Sequence, residues 1–198
     1  MKPLQDPSEY AQKSALLQTL LYSDDAGLLD VCFGDETGFT LNPYIPYGWV
    51  KQGEDACILA QASKRLNVFG ILGTQNQLDT YLCEKNINTQ FIIEALDQFS
   101  QKLTRTTVLV LDNARTHTSE LFKEQIGKWE KRGLFIFYLP KYSPHLNRIE
   151  RLWKEIKYQW LSPKDYRCFE DLKNAVKDII KKFGKEFNIK FQNQKSDD

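Results

Sequence analysis

Apolar and polar positions along the chain change period several times, and each change marks an element. Residues 8–22, SEYAQKSALLQTLLY, predict a short helix with Ser8 as N-cap, broken by Asp24, Asp25 and Gly27. Residues 28–34 predict a buried strand with Val31, Phe33 and Asp35 on one face. Residues 38–51, GFTLNPYIPYGWVK, predict a second strand, which Pro43 and Pro46 push to an edge, a bulge or a loop. Residues 66–74 predict a third strand and residues 78–84 a short extra one. The period then becomes helical at Ile92, Leu96, Phe99 and Leu103. Residues 106–112 form a continuous apolar run, the pattern of a central strand covered on both faces. A helix over 118–132 ends at Gly133, and LFIFYL at 134–139 is the last strand. Leu146, Ile149, Trp153, Ile156 and Trp160 stripe one further helix, and Leu172, Val176, Ile179 and Phe183 stripe the final one. The tail from Gln192 is polar and expected to fray. A meander feeding two βα crossovers gives a mixed α/β sheet with helices on both sides.

Composition narrows the class. Hydrophobic residues make up 41% of 198, enough for one globular domain with a full core. No run approaches the roughly 18 apolar residues of a membrane helix, and MKPLQDPSEY has no apolar signal region. Cys32, Cys57, Cys83 and Cys168 are scattered with no CxxC pair, so a reduced, cytoplasmic protein without a zinc site is expected. Cys32 reads as a small core residue. Net charge is only +1, but it is unevenly spread. Residues 1–140 carry 13 Lys+Arg against 17 Asp+Glu, and residues 141–198 carry 14 against 9. By itself the basic part reads as a solvated, Lys-rich helical surface. Beside an acidic metal site it would position a phosphate backbone.

Three carboxylates change the picture. Asp35 closes the apolar run of LLDVCFGDETGF, Asp112 closes TTVLVLDNARTH, and Glu150 begins the helical pattern of KYSPHLNRIERLWKEIK. Each has an ordinary reading: a turn former or cap for the two Asp residues, and a surface pair with Lys154 for Glu150. Glu36 is a rival to Asp35, though alternation sends it to the other face of the strand. Sheets of this type gather sites at the carboxyl ends of parallel strands. Three hard-oxygen ligands converging there would hold Mg²⁺ or Mn²⁺, and two such ions are the usual machinery for cutting and joining phosphodiesters. Two further residues have divided readings. His117 either caps or packs its helix or approaches DNA near the metals, and Trp49 either covers the core or stacks on a base.

With those motifs in view, the chain resembles the catalytic domain of the DDE transposases, in the bacterial insertion-sequence branch related to mariner elements. The resemblance rests on GDETGF, LDNARTH and LPKYSPHLNRIERLW and covers nearly all of residues 28–162. It implies a ribonuclease-H-like fold, here a five-stranded mixed sheet flanked by helices, spanning 28–191. An N-terminal helix and linker over 1–27 precede it, and the tail of 192–198 follows. It implies that Asp35, Asp112 and Glu150 are the catalytic, metal-binding triad with two Mg²⁺ or Mn²⁺ ions, and that the reaction is DNA strand cleavage and strand transfer at the ends of an insertion sequence. It also implies transposon-end and target DNA as partners and a homodimer in the synaptic complex. The chain departs from the family's usual residues at His145 and Arg148, in the loop that carries Glu150. Arg148, Lys154 and His117 are the candidate DNA contacts. Only 27 residues precede the first expected strand, so the helix-turn-helix region that recognises transposon ends is expected to be absent from this chain. The alternative reading is a non-catalytic remnant, or a host-adapted module that binds DNA or oligomerises.

Overall fold

The computed structural model describes residues 6–42 and 64–190. The proline-interrupted part of the second expected strand, with Trp49 and Cys57, lies outside the described residues, as does the tail from Gln192.

Helix α1 spans Pro7–Asp25 and is capped by Asp6, whose side chain accepts from the Ser8 and Glu9 amides. Asp6 displaces Ser8 from the expected capping role because Pro7, with φ already helical and no N–H to satisfy, suits the first helical position. Strand β1 then runs from Asp30 to Thr40, longer than expected. It absorbs residues 38–40, which the sequence assigns to a separate strand. Antiparallel pairing with β2 (Arg65–Gly73) continues from Cys32 to Thr40 and carries the extended conformation past the polar GDET segment. β3 (Leu78–Cys83) pairs antiparallel with β2. β4 (Thr107–Leu111) lies parallel to β1, and β5 (Leu134–Tyr138) lies parallel to β4. The sheet order is β3-β2-β1-β4-β5. This is the five-stranded mixed sheet expected, with the β1–β4 pair at its centre.

Alternation along the strands feeds two cores. On one face α2 (Thr89–Ser100) and α4 (Glu120–Glu130) bury Ile92, Leu96, Phe122 and Trp129 against Phe69, Leu109 and Leu111. The four-residue α3 (Arg115–Thr118) precedes α4. Gly133, with φ +85°, turns the chain from α4 into β5 through a backbone conformation that side-chain-bearing residues avoid. On the other face α1, α5 (Ile149–Glu155) and α6 (Phe169–Lys182) cover Val31, Phe33 and Val110. The long stripe from Leu146 to Trp160 is not one helix. A 3₁₀ turn at Pro144–Leu146 and a π turn at Ile156–Trp160 flank α5. Among the described residues no helix is long and apolar enough to cross a membrane. Cys32, Cys83 and Cys168 are free thiols, and burial together with Asp30, Asp24 and Asp79 pushes Cys32 up to about 12.

Candidate active site

β4 ends where β1 continues, and this opens the site. The last parallel pair is Phe33 with Val110, so Asp35 and Asp112 follow at equivalent positions two residues beyond it. Asp35 therefore lies within its strand rather than at the end. What ends there is its parallel neighbour.

α5 brings the third carboxylate. Ile149, Leu152, Trp153 and Ile156 are almost wholly buried, and the helix packs across β1 and β2. Gly70 permits the approach. It pairs with Asp35, and a Cβ there would sit 2.6 Å from Trp153 Cη2. Asn147, 96% buried by residue area, donates through Nδ2 to the Gly34 carbonyl at 3.1 Å and ties the start of α5 to the strand beside Asp35. Asp35, Asp112 and Glu150 then line one cleft of about 400 Å³ with Asn113, Tyr142 and Asn147. Tyr142 is exposed and has φ +58°.

The electrostatics fit a cation site. Burial, then the charges of Glu150, Glu36 and Asp112, raise Asp35 from 3.8 to about 8. Asp112 is held below the usual carboxylate range by its hydrogen bond from His117, assisted by the Ala114 N–H, against partial burial. Among the described residues no three acidic, His or Cys side chains are already arranged as a coordination shell. Uncompensated carboxylates repel, and one oxygen of Asp112 is occupied by protein donors. The donor chemistry, hard oxygens from three elements on one cleft, matches Mg²⁺ or Mn²⁺.

The remaining expected residues are scattered. His117 is fully buried, with its ring between Phe69 and Phe122. Burial opposes its charge, but the hydrogen bond to Asp112 and the close carboxylates of Asp112 and Glu36 outweigh this and raise it to about 10. Arg148 is partly buried with its guanidinium over the Phe33 ring at 5.6 Å, and burial lowers its pKa. Lys154 is exposed one turn beyond Glu150. His145 Nε2 lies 2.9 Å from Tyr10 Oη, so it joins α1 to the Glu150 loop. Sequence reasoning missed Asn147, Lys157 and the Glu36 contact. Lys157, on the π turn, feels the charges of Glu150 and Asp35, while burial holds its pKa down. A histidine five residues after one acid, and a second acid adjoining another, were the available signals for the Glu36–His117 contact.

A central parallel strand pair with carboxylates at its open end, joined by one from a helix, brings the three acids named from the sequence to one cleft. The sequence model of the DDE superfamily endonucleases matches residues 30–173, and the chain belongs to that family. Solved structures share the fold at low identity. The Mos1 strand transfer complex gives a TM-score of 0.60 at 16% identity, over 91% of this chain and 57% of that one. The Mos1 mariner paired end complex with Mn gives 0.59 at 15%, over 90% and 56%. The HTLV-2 integrase catalytic core domain in complex with magnesium gives 0.50 at 16%, over 79% and 88%. The chain thus spans somewhat over half the length of the Mos1 transposase chains. No match is found among curated protein sequences.

Proposed function

We propose that residues 28–191 are the catalytic domain of an insertion-sequence transposase, cleaving DNA at the element's ends and joining the freed strand to target DNA. The observation that carries this reading is the cleft shared by Asp35, Asp112 and Glu150, where burial and mutual repulsion raise Asp35 to about 8. Asp35, Asp112 and Glu150 would hold two Mg²⁺ or Mn²⁺ ions, and the Mos1 and integrase structures with Mn and magnesium support a divalent requirement. Such ions, when bound, activate the attacking oxygen and stabilise the leaving one.

The chain's own residues prepare that chemistry. β1 and β4 fix two carboxylates at neighbouring positions, and the buried stripe of α5 presses the third towards them. Lys154, exposed on α5, faces outward where a phosphate backbone would pass. DNA is the partner, bound as a homodimer in the synaptic complex, within the cytoplasm.

The test is cleavage and strand transfer on end-containing DNA with and without Mg²⁺, together with calorimetric Mn²⁺ titration. Both activities should need the cation and vanish in Asp112→Asn, which should also lose Mn²⁺ binding. Unchanged Mn²⁺ binding in that variant would sink the assignment. A non-catalytic DNA-binding or oligomerisation module would bind DNA and give no Mg²⁺-dependent product.

A further inference from the structure

The buried His117 and the half-buried Glu36 take no part in the chemistry above. His117 Nδ1–H donates to Asp112 Oδ1 at 2.8 Å, and the Ala114 amide donates to the same oxygen at 3.0 Å. Both acceptor directions of Oδ1 are therefore used. On the far side of the ring, Glu36 Oε2 lies 3.2 Å from Nε2, close enough for charge attraction though not a well-directed hydrogen bond. Thr116 Oγ1 holds the other oxygen of Glu36 at 3.4 Å. The ring has little freedom. Its side chain is 0% exposed, Phe69 and Phe122 flank it at 6.4 and 6.1 Å, and the Tyr138 hydroxyl anchors the His117 carbonyl at 2.7 Å.

We propose that Glu36 and His117 are positioning residues that commit Asp112 Oδ1 to the protein and present Oδ2 alone to a divalent cation in the cleft. The inference rests on the metal-dependent reading of the site. Its physical basis is that a small hard cation demands near-ideal ligand geometry, whereas a freely rotating carboxylate offers either oxygen or both. A partner behind the ligand fixes which oxygen is offered, and losing such a partner costs about 10–100-fold in metal affinity or activity. Glu36 lies on the face of β1 opposite Asp35, so the acid beside the first ligand orients the second ligand through the ring.

The test is a Mn²⁺ titration by calorimetry on the whole chain, with melting in EDTA alongside. His117→Asn retains an amide donor at the Nδ1 position but loses the end that faces Glu36, so it should bind Mn²⁺ more tightly than His117→Gln and somewhat below wild type. His117→Gln reaches past that position and should bind about tenfold more weakly. Replacing the ring by a neutral amide removes no negative charge from the cleft, so weaker Mn²⁺ binding in His117→Gln cannot come from bulk electrostatics. His117→Gln binding as tightly as wild type, or His117→Asn as weakly as His117→Gln, would overturn the proposal. Should His117→Gln fail to melt cooperatively, Glu36→Asp decides, because it keeps the charge and withdraws the carboxylate from Nε2: weaker binding with an unchanged melting temperature is expected, and unchanged binding overturns it. A wild-type chain that binds no Mn²⁺ overturns the metal reading and this proposal with it, whereas a wild type that binds while all variants match it overturns the positioning alone.

Discussion

Replacing Asp35 with Asn should stabilise the metal-free protein while abolishing its chemistry. The folded carboxyl titrates at about 8 and the unfolded one near 3.8. Below about pH 4 the group is protonated in both states and the two proteins should be equally stable. As pH rises from 4 towards 8 the unfolded chain releases its proton and the folded chain keeps it. Wild-type stability then falls by about 1.36 kcal/mol per pH unit relative to the variant, and the loss levels off above pH 8. The gap reaches roughly 4 kcal/mol at pH 7 and roughly 6 kcal/mol above pH 8 if nothing moves. Small rotations of Glu150 and Asp112 relieve part of the repulsion, so a gap of about 2 kcal/mol at pH 8.5 is the least expected, or about 4–8 °C in Tm for a chain of this size.

The assay is thermal or urea unfolding in EDTA at pH 4.5, 7 and 8.5. Asn fills the same volume and cannot ionise, so the gap should widen with pH. Adding Mg²⁺ at pH 8.5 should close it from the wild-type side, because the cation compensates the charges. A variant less stable than wild type at pH 8.5, or a gap independent of pH, would refute the reasoning and make Asp35 a structural residue.

Three other outcomes are expected. Gly70→Ala drives a methyl into the Trp153 ring, so α5 must shift; a loss of about 1–3 kcal/mol in unfolding experiments should accompany reduced cleavage, and no change in either would contradict the packing described. Asn147→Ala removes the buried tie to the Gly34 carbonyl and should cost about 1–3 kcal/mol by urea titration, with Mg²⁺-dependent cleavage impaired beyond the loss of folded protein. Lys154→Ala should weaken DNA binding for every sequence alike and flatten its salt dependence, whereas Arg148→Ala should also lower Tm because the guanidinium packs on Phe33; fluorescence anisotropy over a salt series checks both.

Much of the fold was legible because burial imposes the periods. The β4 and β5 runs, the α2 and α6 stripes and the mixed sheet follow from apolar spacing and connection rules. The length of β1 did not. Its second half is polar, and only antiparallel pairing with β2 keeps GDET extended. The broken helix after Pro144 was also hidden, since a continuous apolar stripe looks the same whether the backbone turns are 3₁₀, α or π. The three acids that share the cleft were legible at the edges of apolar patterns, and alternation separated Asp35 from Glu36. The role of His117 was not, because its partners are Asp112, five residues away, and Glu36, on another strand. That it reaches both, and that it is buried, depends on how α3 folds back over the sheet.

The division of labour among the three acids follows from how each is held. Asp35 sits in a strand paired on both sides up to Phe33 and on one side beyond, so its backbone cannot yield and its side chain answers burial and repulsion with a retained proton. Asp112 has left its strand, but the donors behind Oδ1 keep it charged. Glu150 rides on a seven-residue helix bounded by a 3₁₀ turn and a π turn, anchored by the apolar stripe and by Asn147 rather than by strand pairing. Burial of Ile149, Leu152 and Trp153 contributes roughly 1.5–3 kcal/mol per side chain and is non-directional, so it presses α5 to the sheet without fixing its position along it. The third carboxylate is therefore the adjustable one. Cation-induced ordering should appear first in α5 and its flanking turns, as amide-exchange protection gained on adding Mn²⁺, while β1 and β4 remain unchanged.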